Sequence, residues 1–197
     1  MKKNIVFMLL LVSSASFAQH FDFGVRAGVN VSNFTGGSSA SDVKASSYIG
    51  FHAGAFVGLY LGNNFSINPE VQLSTQGAKV EQTGINKTSY KLTYINVPIL
   101  AKYRFNGGFY LEAGPNIGFN VHENYGGTSS DFAKSTQLGL VGGLGYHSSI
   151  GLGIGARYGL PISKVGDFDA STANYSNFKN SVIQVSVFYT IFNGHKK

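Results

Sequence analysis

The sequence predicts an all-β protein, a single eight-stranded antiparallel up-and-down barrel. Three observations predict it. Apolar and polar residues alternate with period two through eight segments of about a dozen residues each, which is the signature of strands with two unlike faces. No stretch after the N-terminus carries a sustained helical period. The connections between the segments alternate between tight polar turns and long polar loops.

The chain opens on a leader rather than on a strand. Lys2 and Lys3 precede the short apolar run IVFMLLLV (Ile5–Val12), and Ser16-Phe17-Ala18 sets small residues at a cleavage site. This is the pattern of a secretory signal peptide, and the apolar run is too short to cross a bilayer of about 30 Å. The expected domains are therefore residues 1–18 as signal peptide and 19–197 as the barrel.

The strands follow in order. FDFGVRAGVNVSN (Phe21–Asn33) sets Phe21, Phe23, Val25, Ala27, Val29 and Val31 against Asp22, Gly24, Arg26, Gly28, Asn30 and Ser32. IGFHAGAFVGLYL (Ile49–Leu61) and NFSINPEVQLSTQGAKV (Asn64–Val80) alternate likewise, the latter placing Glu70 and Gln72 in its polar row. SYKLTYINVPILAKYRF (Ser89–Phe105) opposes Ile95, Val97, Ile99, Ala101 and Tyr103 to Asn96, Pro98, Leu100, Lys102 and Arg104. FYLEAGPNIGFNVH (Phe109–His122) is the cleanest, with Glu112 and His122 in the polar row. STQLGLVGGLGYH, IGLGIGARYGLPI (with Arg157) and SVIQVSVFYTIF complete the set. Pro69, Pro98 and Pro115 lie inside strands, where each removes a ladder hydrogen bond, so local bulges are expected there.

The facing of the two rows follows from the charges. Arg26, Glu70, Lys102, Arg104, Glu112 and Arg157 all fall in polar rows. Eight tilted strands of about 10 residues span a bilayer, and a closed barrel leaves no unpaired backbone edge in hydrocarbon. The apolar rows then face lipid and the polar, glycine-rich rows face the lumen. The turns GNN, NGG and HSS face the periplasm, and the four long loops face outside. Tyr and Phe near strand ends (Phe21, Tyr103, Phe109, Tyr146, Phe192) suit interfacial girdles.

Composition narrows the function. The chain has no Cys, which excludes disulfides and thiolate metal sites. The net charge is +6, but the basic residues are scattered, and in the long loops Lys44, Lys87, Lys134, Lys164 and Lys179 are offset by Asp42, Glu81, Glu123, Asp131, Asp167 and Asp169. That pattern gives no nucleic-acid face. The five histidines do not converge with carboxylates, and the GxG spacings lack a following helix, so neither metal nor phosphate cofactor is expected. His122, assigned to the lumenal row, is misplaced for a lipid-accessible hydrolytic triad. The six lumenal charges are expected to pair within a filled interior, with Glu70 and Glu112 flanking the strand that bears Lys102 and Arg104.

The segments GVRAGVNVSNF, INPEVQLSTQGAKV, YINVPILAKYRF, FYLEAGPNIGF and GLGIGARYGL, with Pro69, Pro98 and Pro115, resemble in order and spacing the PorT-like outer-membrane β-barrel family. The resemblance runs from Phe21 to Phe192. It implies an eight-stranded barrel in the outer membrane of a Gram-negative bacterium, and it raises a role as an accessory to protein export of the type IX kind. The chain departs from the general pattern at its end, where NGHKK follows Phe192 in place of a terminal aromatic residue. The reading is a non-enzymatic, plugged, monomeric barrel in contact with outer-membrane lipid, acting through its surface loops or an envelope or secretion partner. A lipid-modifying barrel enzyme is the remaining alternative.

Overall fold

The computed structural model describes residues 21–35, 43–82, 85–125, 136–163 and 179–194. The leader, its cleavage site, His20, His195 and most of the long connections lie outside the described residues. Eight strands follow one another: β1 Phe21–Thr35, β2 Val43–Tyr60, β3 Phe65–Gln82, β4 Ile85–Arg104, β5 Phe109–Tyr125, β6 Thr136–His147, β7 Leu152–Pro161 and β8 Lys179–Asn193. Each pairs antiparallel with the next, and β8 pairs back onto β1, closing the barrel. The expected fold class is the observed one.

The inside-out character is plain in the burial. Val25, Val29, Phe51, Val71, Ile99, Leu111, Ile154 and Val187 are exposed on the outer wall, while Arg26, Glu70, Gln72, Lys102, Glu112, Arg157 and Gln184 are buried inside it. Charged and amide side chains buried behind an apolar shell are the reverse of a water-soluble barrel. At the short-turn end the shell is rimmed by aromatic pairs. Phe21 stacks on Phe192 with centroids 4.9 Å apart, Tyr103 meets Phe105 at 5.0 Å and Phe109 meets Tyr146 at 5.6 Å.

The three tight connections are built by backbone hydrogen bonds, for example from Phe105 N to Phe109 O at 2.8 Å and from Ser148 N to Leu152 O at 2.9 Å. Gly108 and Gly151 each take φ of 88°, a left-handed conformation that glycine adopts without a Cβ penalty.

Three expectations change. β3 and β4 run on to Gln82 and Ile85, which pair with each other, so the segment from Glu81 to Ser89 is mostly ladder rather than a long loop. Outside the bilayer neither face has to be apolar, so polar residues no longer mark the end of a strand. The prolines do not cause bulges. The β3–β4 register is the same on both sides of Pro69 and Pro98, and the β5–β6 register is unbroken through Pro115. The shifts fall instead between Phe23 and Gly24, Ser47 and His52, Val80 and Gln82, and Thr93 and Tyr94. Finally, the last of these shifts inserts one extra residue, Val121, between the β5 partners Asn120 and His122. His122 then pairs with Thr93, between the inward Leu92 and Tyr94, and is exposed. The bulge inverts the alternation, so His122 leaves the lumenal row to which strict period two assigns it.

Candidate functional site: the filled lumen

The alternation of β3, β5 and β7 sends Glu70, Glu112 and Arg157 inward. They meet although β7 is not adjacent to β3 or β5 in the sheet. Arg157 donates from Nη1 and Nη2 to Glu70 Oε2 and Oε1 at 2.7 and 2.6 Å, and from Nε to Glu112 Oε1 at 2.6 Å. This is a two-pronged guanidinium–carboxylate pair extended to a second carboxylate, the geometry Lys cannot reproduce. Arg26 from β1 lies 3.6 Å from Glu70 Oε1 and donates to Ser186 Oγ at 2.9 Å. All four charged side chains are buried.

Lys102 and Arg104 do something other than flank the carboxylates as ion pairs. Lys102 is the register partner of Glu112. Its Nζ, however, stands over the Tyr110 ring at 3.9 Å and 5.0 Å from the centroid of Phe188. Arg104 sits at the turn end, half-buried, and donates to the His147 carbonyl at 3.1 Å. It does not join the central cluster. Pairing of the inward charges across the lumen is expected from the sequence, but which partner each one takes is not, because a guanidinium reaching across a narrow lumen can select partners from strands that share no ladder.

Two groupings were not anticipated, although Tyr110 itself stands in the polar row of FYLEAGPNIGFNVH. Phe56, Tyr110 and Phe188 pack edge to face, with centroids 5.9 Å apart for both Phe56–Phe188 and Tyr110–Phe188, and form a buried aromatic cluster inside the polar lumen. Arg26 also stacks there, its Cζ 4.9 Å from the Phe188 centroid. The rings lie over glycines. A Cβ on Gly153 would strike the Phe188 ring, one on Gly155 would strike the Tyr110 hydroxyl, and one on Gly24 would strike the Phe56 ring. An aromatic residue in an otherwise small and polar row, facing glycine on other strands, is the sequence signal for such a layer.

The second group lies on the loop side of Arg157. Asn30 donates to Ser74 Oγ at 2.9 Å and to the Thr75 carbonyl at 3.0 Å, while its own carbonyl oxygen stands 2.6 Å from His52 Nδ1. Gln184 donates to Asn30 Oδ1 and Gln72 Oε1, both at 3.2 Å. No group of three or more His, Cys, Asp or Glu side chains among the described residues is arranged to hold a metal ion.

A closed eight-stranded barrel with a lipid-facing shell and a charged, ring-filled interior defines a transmembrane barrel of the outer-membrane class. The chain belongs to the outer membrane protein beta-barrel domain family, whose model matches residues 17–167. Its fold is similar to that of Neisserial surface protein A, at 18% identity and a TM-score of 0.56, over 86% of this chain and 97% of that one. It is also similar to the outer membrane protein OprG from Pseudomonas aeruginosa, at 14% identity and a TM-score of 0.50, over 88% and 97% of the two chains. At these identities the likeness is one of fold. A comparison with curated proteins gave no match.

Proposed function

We propose that this chain is a non-enzymatic, plugged outer-membrane barrel that works through its outer surface. It is exported by the leader at residues 1–18, stands as a monomer in lipid, and reaches an envelope partner with its long loops. The single observation that supports this reading is the Arg157 bridge between Glu70 and Glu112, set against the aromatic cluster: at this level the lumen is given over to packing. In this reading Arg26, Glu70, Lys102, Glu112 and Arg157 are a structural network, and Arg104 secures the turn end.

The resemblance to PorT-like barrels supports a second reading, an accessory in protein secretion across the outer membrane. Cross-linking from the loops in intact envelopes separates the possibilities. The main reading expects one defined protein partner, lost when residues 164–178 are replaced by a short turn and retained when Glu112 is changed. The secretion reading further expects deletion to strand surface cargo in the periplasm. A change in lipid A or phospholipid on deletion, seen by mass spectrometry with no protein cross-linked, defeats both and favours lipid chemistry.

A further inference from the structure

On the loop side of the charged layer the lumen holds a cavity of about 50 Å³. It is lined by amides, among them Gln72 of β3, Asn116 of β5 and Gln137 of β6. Apolar groups are interspersed among them, such as Pro98, the register partner of Asn116, and Val182, and Arg157 belongs to the lining as well. Gln72 is buried, and its Nε2 has no hydrogen-bond partner. Asn116 Oδ1 and Gln137 Nε2 are also buried atoms without a partner. Three side chains of one lining thus carry a buried polar atom without a partner, two donors and one acceptor. A buried polar atom without a partner is unfavourable, so a small turn of these amides toward an occupant of the cavity is favoured. A water needs roughly 10–15 Å³, so the volume suits a few waters or a group of similar size.

The chemistry of the lining selects the occupant. Arg157 is paired with two carboxylates, Glu70 and Glu112, so its charge is already balanced and the lining does not favour an anion. Amides supply donors and acceptors together, which match hydroxyl groups, and the interspersed Pro98 and Val182 match the carbon atoms of a polyol. We propose that this cavity is a binding site for a small neutral hydroxylated group, the terminal hydroxyls of a polyol or of a sugar. The inference goes beyond the proposed function and holds whether or not the loops find a partner.

The test uses the full barrel folded in lipid nanodiscs, with side-chain amide NMR signals of Gln72, Asn116 and Gln137 as the readout. Glycerol and glucose are titrated in parallel, with sodium phosphate as the charged control. The expected result is saturable shifts at these amides with at least one of the two hydroxylated probes. Affinity should fall about fivefold to tenfold in Q72L and Q137L, the loss of one hydrogen bond each. Shifts with glycerol alone identify a polyol end, and shifts with glucose identify a sugar; both uphold the site. If Q72L does not fold, Q137L and N116L carry the comparison. Absence of saturable shifts, equal affinity in the folded variants, or saturation by phosphate in place of both hydroxylated probes overturns the proposal.

Discussion

Arg157 completes two carboxylates at once, and this makes its substitution different in kind from that of its neighbours. Removing it leaves Glu70 with only the 3.6 Å contact to Arg26 and leaves Glu112 without its guanidinium. Breaking a buried pair by removing one partner costs about 3–5 kcal/mol. Arg157→Met should lie at the upper end of that range in urea titrations of the lipid-embedded barrel, and Glu112→Ala should cost less, because Arg157 keeps Glu70. Lys102→Met should cost least of the three, since the ammonium rests on the Tyr110 ring and a thioether can occupy the same place. An equal loss for Lys102→Met and Arg157→Met would mean that the carboxylates do not set the energy of this layer. Glycine at 155 has an equally local role. Its missing Cβ makes room for the Tyr110 hydroxyl, so Gly155→Ala should destabilise the barrel by about 1–3 kcal/mol through overpacking. Pairing Gly155→Ala with Tyr110→Phe, which withdraws the clashing oxygen, should recover part of that loss.

The strands carry the next level of specification, and here the bilayer acts as solvent. Leu111 on β5 and Ile154 on β7 are more than half exposed, at 53% and 54%, and that exposure is to hydrocarbon. Arg at either place should cost about 2–4 kcal/mol if it lies at the midplane, and less nearer the interface. Folding yields into lipid vesicles across a urea series measure this; unchanged folding of Leu111→Arg would falsify the facing of β5. Alternation made the strand count, the two faces and the inward set Arg26, Glu70, Lys102, Glu112 and Arg157 legible in the sequence, because a membrane forces one face to be apolar. It could not show the bulge at Val121, since an inserted residue leaves no mark in composition while it turns His122 outward. Nor could it show that β3 and β4 continue together to Gln82 and Ile85, because beyond the hydrocarbon the constraint that makes strands readable is gone.

Taken whole, the barrel is taller on one side than the other. β2 to β5 have 18, 18, 20 and 17 residues, whereas β6 and β7 have 12 and 10. About 9–11 tilted residues span a bilayer, so β6 and β7 are near the minimum and the opposite wall continues past the membrane on the loop side. The interior does not follow this height, because it is blocked at mid-depth. Eight strands enclose a space that side chains can fill, and here Phe56, Tyr110 and Phe188 and the Arg157 carboxylate bridge fill it at successive levels. The cavity on their loop side, with Arg157 in its lining, is about 50 Å³ in size. The wild-type protein in planar bilayers should therefore give no stable, large conductance steps. Glu112→Ala should give none either, because it removes a carboxylate and leaves the three rings, Arg157 and Lys102 in the path. The two defects are separable: Glu112→Ala loses stability in urea without gaining conductance, whereas Phe56→Ala with Phe188→Ala opens the ring layer and should raise the frequency of brief openings. Stable large steps from the unaltered barrel would mean that the Arg157 bridge opens at rest, and would make the inward charges an ion path in place of a plug.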